Sequence, residues 1–136
     1  MGNKKNQLAK LNEAMNLINL RKYKDALELA LTVEKELELT SKPDKKVLKG
    51  LSYVLAKSYN ALRNFELAEK YFSYCIKQEP KNLDLLFSAG LNALALGSSD
   101  NARHYLRIIG KHHGYHNPLF NQLDKTINSW EAEQNS

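Results

Sequence analysis

The chain has 136 residues, 43% of them hydrophobic and 26% charged, which fits one compact domain and excludes a low-hydrophobicity disordered chain. The single Cys75 cannot pair within the chain, so no disulfide framework is expected and a reducing, cytoplasmic setting is indicated. Net charge is +5, and the excess lies in residues 1–50, with eleven Lys or Arg against seven Asp or Glu.

Nearly every segment has the 3.6-residue period of an amphipathic helix, and none alternates over the length of a strand. The chain opens "MGNKKN", without the apolar core of a secretion signal. Asn6 stands where an N-myristoylation pattern has Ser or Thr, so lipidation is not expected. Helices are predicted over about 4–20, 23–39, 43–61, 64–78, 83–96, 99–111 and 118–133. Asn64 can cap the fourth, Ser98 or Ser99 the sixth, and Asn117 the seventh, with Pro118 in the first turn. Pro80 stops the fourth. Seven helices joined by loops of two to six residues imply antiparallel neighbours. No apolar run approaches about 18 residues, so no membrane span is expected.

The helices recur. Ala68 and Ala102 are 34 residues apart, as are Ala56 and Gly90 and also Leu83 and Asn117, whereas Ala26 and Ala68 are 42 apart. A 34-residue helix–turn–helix period resembles the tetratricopeptide repeat. The best match is "KGLSYVLAKSYNALRNFELAEKYFSYCIKQEPKN". There Leu55-Ala56, Tyr59, Phe65, Ala68, Phe72 and Pro80 take the family's positions, while Ser52 replaces its usual Trp. A unit over 83–116 keeps Gly90, Gly97 and Ala102, with Ala93 in place of the tyrosine and Gly114 in place of the proline. A unit over 7–48 keeps Ala14, Tyr23 and Ala26. Its eight extra residues are expected to add a turn to each helix flanking Ser41-Lys42-Pro43. Residues 117–133 read as a capping helix, with Phe120, Leu123, Ile127 and Trp130 on its apolar stripe.

The resemblance implies a single all-α domain built as a right-handed α-α superhelix, with no enzymatic activity and no cofactor. It implies a protein or peptide partner held on a concave face lined by the first helix of each unit. That mapping gives Leu8, Leu11, Asn12, Met15 and Asn19, then Tyr53, Val54, Lys57 and Asn60, then Asp84, Phe87, Ser88, Leu91 and Leu94. The cap adds Asn121, Gln122, Lys125 and Asn128. Leu8, Leu11 and Leu94 fit inter-helix core as well as groove. Family members that bind chaperone tails use a clamp of lysines, asparagines and an arginine. Leu11, Met15, Val54, Asp84 and Ser88 occupy those places here, so such tails are not the expected ligand.

Other features have plainer readings. His112, His113 and His116 lie close together, but no Cys or acidic residue neighbours them, so a solvated turn at a helix end is expected rather than zinc. The helix dipole there favours protonation. Cys75 lies on an apolar stripe and reads as a small buried hydrophobe. Glu34, Glu36 and Glu38 look like solvated surface. Lys42, Lys45, Lys46 and Lys49 suit a soluble helix face. RNA or an anionic surface is the alternative for them, without the interleaved aromatics that RNA binding favours. No phosphate loop or catalytic constellation is present, and no small-molecule substrate is expected. The chain is expected to be a monomer or weak homodimer.

Overall fold

A computed structural model describes residues 3–136; Met1 and Gly2, and with them the Met-Gly start, lie outside the described residues. The fold is all-α. Among the described residues there are seven helices: α1 (Lys4–Asn19), α2 (Tyr23–Glu38), α3 (Lys45–Ala61), α4 (Phe65–Gln78), α5 (Leu83–Ala95), α6 (Ser99–His113) and α7 (Pro118–Gln134). Their ends fall within about two residues of those expected from periodicity and capping. No helix among the described residues is long and apolar enough to cross a membrane.

Local chemistry starts the helices where it does. The side chains of Asn3, Asp44, Asn82, Ser98 and Asn117 each accept from a backbone N–H of the first helical turn. Asn64 does the same for α4, accepting from Leu67 N at 3.4 Å. Each such cap satisfies a donor that the helix leaves open, worth about 1 kcal/mol.

Three of the connections are the same turn. After α1 come Leu20, Arg21 and Lys22; after α3, Leu62, Arg63 and Asn64; after α5, Leu96, Gly97 and Ser98. The middle residue is left-handed each time, at φ 61° for Arg21, 67° for Arg63 and 83° for Gly97. The third residue donates back across the helix end, from Lys22 N to Leu17 O (2.8 Å), Asn64 N to Tyr59 O (2.8 Å) and Ser98 N to Ala93 O (2.9 Å). This is the Schellman closure. Around each turn the same small residues are buried, Ala14 with Ala26, Ala56 with Ala68, and Gly90 with Ala102.

The eight extra residues of the first repeat are distributed differently from the expectation. α2 ends twelve residues after Ala26, whereas α4 ends ten after Ala68. The connections that follow have six and four residues, and α3 has 17 residues against 13 in α5. Thus α3 gains a full turn, α2 only half of one, and the loop takes the rest, because Asp44 starts α3 at its own cap.

The chain divides into two compact units, Met1–Tyr71 and Phe72–Ser136. In the first, α1, α2 and α3 pack mutually and bury Leu11, Ala14, Ala26, Val33, Val47, Val54 and Leu55. Tyr71, midway along α4, stacks on Tyr59 at 6.0 Å, and its hydroxyl donates to Glu34 at 2.9 Å. Glu36 accepts from Lys10 Nζ (2.7 Å) and from the buried Gln7. The expectation that Glu34 and Glu36 are free surface is therefore corrected, since each joins α2 to another helix; Glu38 alone of the three is exposed.

In the second unit α5, α6 and α7 pack mutually. Leu123 and Ile127 are fully buried, while Phe120 and Trp130 lie against the same core, as the apolar stripe of the last helix predicts. At Gly90 a Cβ would come within 2.7 Å of Leu123 Cδ2, so the missing side chain is what lets α7 lie this close to α5. Arg103 on α6 forks onto Glu131 (2.5 and 3.1 Å) and Asn128 (2.8 Å) of α7. That pair is a third exposed and contributes about 1 kcal/mol or less. Burying Leu123 and Ile127 contributes roughly 1.5–3 kcal/mol each and dominates the docking of α7.

Candidate functional site

The residues expected to line a binding face fall into two sets, one on each unit. In the first unit Tyr53, Lys57 and Asn60 stand at i, i+4 and i+7 of α3, on one helical face and all half-buried. Lys57 Nζ lies 5.9 Å from the centre of the Tyr53 ring. Met15 of α1 adjoins this face: its Cε would sit 3.8 Å from a Cβ at Gly50, one turn before Tyr53. Asn19, one turn further along α1, is exposed. Met15, Leu48 and Tyr59 pack against the core of this unit. Tyr53 is half-buried and its ring meets Lys57; a large aromatic with part of its surface open on a helix face is a natural contact residue.

In the second unit Asp84, Phe87, Ser88 and Leu91 stand at i, i+3, i+4 and i+7 of α5. Phe87 and Leu91 are half-buried and pack on the local core, so each offers only an edge. Asp84 is exposed and Ser88 half-buried. Asn121 and Lys125, four residues apart on α7, are both exposed. The α5 and α7 stripes belong to helices that pack directly on each other.

Of the residues mapped to the binding face, Val54 is core at 0% exposed, and Leu11 and Leu94, which fitted either reading, are core as well at 1% and 6%. Asn128 has a partner within its unit, Arg103. The reason is common to the three apolar residues: the first helix of each hairpin packs on more than one side, so its apolar stripe is wider than a groove mapping allows. Two of the five positions a carboxylate clamp would use, Leu11 and Val54, are thus closed to any ligand.

The histidines are placed differently from the expectation. α6 runs on to His113, so His112 and His113 are helical and only His116 lies in the turn. The Lys81 carbonyl accepts from His113 Nε2 at 2.5 Å, tying the end of α6 to the loop before α5. Desolvation by the surrounding protein first, then the cations Lys81, Lys111 and His113, hold the exposed His112 below the ordinary histidine pKa. The direction is opposite to the one expected from the helix dipole, and desolvation is the larger cause. Among the described residues no group of three or more His, Cys, Asp or Glu is gathered as metal ligands. Cys75 is buried, and burial, then the Glu79 charge, pushes its thiol up to about 12. That is the opposite of an activated nucleophile.

No protein-family model matches the sequence, and no curated protein is detectably similar to it.

Proposed function

We propose that the chain is a non-enzymatic adaptor of the tetratricopeptide type, with three hairpins and a capping helix. It binds a peptide or helical segment of a protein partner through the faces of its first helices. The observation that carries this reading is the recurrence of one hairpin: an identical left-handed turn and a buried small-residue pair, three times along the chain. Repeated hairpins of this kind leave one helix of each pair to meet a partner. The half-exposed Tyr53 with Lys57 and Asn60, and the Asp84–Leu91 stripe, supply the mixture of apolar area and polar pairing that an amphipathic segment would need. The same reading places the protein in the cytoplasm.

The test is selection of binding peptides from a displayed library, followed by titration against the wild type and the Tyr53→Ala/Phe87→Ala variant. The variant is expected to keep its helical circular dichroism and to lose at least about tenfold in affinity, the usual scale for an aromatic anchor. Equal affinity for both proteins would overturn the assignment of the face.

A further inference from the structure

The first unit carries a groove and a knob that match each other. The groove lies between α1 and α2 and is lined by Glu13, Leu17, Asp25, Glu28, Leu29 and Thr32. On α1, Glu13 and Leu17 stand at i and i+4, with Leu20 just past the helix end, and on α2 Asp25, Leu29 and Thr32 stand at i, i+4 and i+7, with Glu28 one turn after Asp25. Leu17 and Leu29 form an apolar floor and three carboxylates form the walls. None of these carboxylates makes a hydrogen bond or ion pair with another described residue. Leu20 is 65% exposed one turn beyond Leu17.

The knob is the connection from α2 into α3. Leu39 is 91% exposed, the most of any large hydrophobic side chain among the described residues. Exposed Lys42, Lys45 and Lys46 follow it closely in the chain. The one acid among them, Asp44, is committed locally: its carboxylate caps α3 and pairs with Lys4 at 3.2 Å. The knob is thus an apolar tip beside three ammonium groups, with exposed Glu38 preceding Leu39, and the groove is an apolar floor beside three carboxylates, with exposed Lys24 preceding Asp25.

The two features sit at opposite ends of the unit. Lys10 to Glu36 and Lys4 to Asp44 tie the start of α1 to the end of α2 and the entry to α3. The groove lies towards the other end, by the α1–α2 turn. The knob of one molecule is therefore placed to meet a second molecule and not its own groove.

We propose that the chain associates with a second copy of itself, the Leu39 tip seating on Leu17 and Leu29 while Lys42, Lys45 and Lys46 face Glu13, Asp25 and Glu28. The contact is heterologous, since two different patches meet. It rests on paired charges at an exposed rim, so it is strengthened by low salt and screened as the Debye length shortens.

Sedimentation equilibrium from about 1 to 200 µM, in low and in high salt, reads this directly; association is expected to be concentration-dependent and weaker in high salt. Leu39→Ser, at a position too exposed to matter for folding, is expected to weaken association about tenfold or more. The groove variant Glu13→Lys/Asp25→Lys/Glu28→Lys and the knob variant Lys42→Glu/Lys45→Glu/Lys46→Glu are each expected to sediment as monomers with unchanged helical content. Mixed, they are expected to associate again, because the first retains the native knob and the second the native groove. A wild type that stays monomeric throughout, or variants that fail to complement when mixed, would overturn the proposal. Because none of these substitutions touches Tyr53, Lys57 or Phe87, peptide binding by the knob variant separates this contact from the proposed partner face.

Discussion

At the scale of single residues, the most informative positions are buried polar atoms. The Ser58 hydroxyl is fully buried with no hydrogen-bond partner among the described residues. An unsatisfied buried hydroxyl costs about 1–3 kcal/mol in lost hydration. Ser58→Ala removes that oxygen, keeps almost all of the packing and improves helix propensity. Its urea midpoint is expected to be unchanged or raised by the equivalent of up to about 1 kcal/mol. The hydroxyl of Ser52, by contrast, donates to Leu48 O at 2.8 Å and has no such penalty to relieve. Tyr71 is the opposite case, a polar group well paired. Burial, then the hydrogen bond to Glu34, raises its phenol from 10.0 to about 12. The sign follows from linkage: the folded state holds this proton more tightly than the unfolded chain. The associated stability is therefore complete below pH 10 and is lost as pH rises towards 12. Tyr59 shifts the same way through burial, then the Glu34 charge. Between pH 8 and pH 11, the urea midpoint of the wild type is expected to fall more than that of Tyr71→Phe. An equal fall in both proteins would remove Tyr71 from the account.

At the scale of elements, the repeated turn is the feature with the clearest energetic signature. A left-handed backbone costs a residue with a Cβ about 1–2 kcal/mol and costs glycine almost nothing. Arg21 and Arg63 carry that cost, and Gly97 does not. Arg21→Gly is expected to stabilise the protein by about 1 kcal/mol, and Gly97→Ala to destabilise it by a similar amount, both read from chemical denaturation. Arg63→Gly should gain less than Arg21→Gly, because its guanidinium lies 5.4 Å from the centre of the Phe65 ring and that contact is worth about 0.5–1 kcal/mol. If Arg21→Gly were destabilising, the side chain would have to make a contact that outweighs its backbone strain. These turns also mark where sequence reasoning stops short. Helix positions and caps were legible because both signals are local: apolar period, and a Ser, Asn or Asp at the first open N–H. The left-handed turns at Arg21 and Arg63 were not, because the usual marker is glycine and arginine carries no such signal.

At the scale of the whole molecule, legibility depends on distance along the chain. The periodic small residues pointed to repeated hairpins, and Ala14, Ala26, Ala56, Ala68, Gly90 and Ala102 are all buried. Glu36 was misread as surface because its partner Lys10 lies 26 residues away, and nothing in the local pattern announces that pairing. Asn128 was misread for the same reason, with Arg103 lying 25 residues away. Val54 was misread, and Leu11 was left open between core and groove, because a single apolar stripe does not say how many neighbours a helix has. What survives as candidate binding surface is the part of each first helix that the core does not need, and Tyr53 is its clearest member.

The separation of that surface from the core is the central claim, and Tyr53→Ala tests it alone. A peptide selected against the wild type would be titrated into both proteins, with the urea midpoint of each measured alongside. The account predicts at least a tenfold loss of affinity with a change in stability below about 1 kcal/mol. A variant that loses several kcal/mol of stability yet binds with full affinity when folded would place Tyr53 in the core and contradict it.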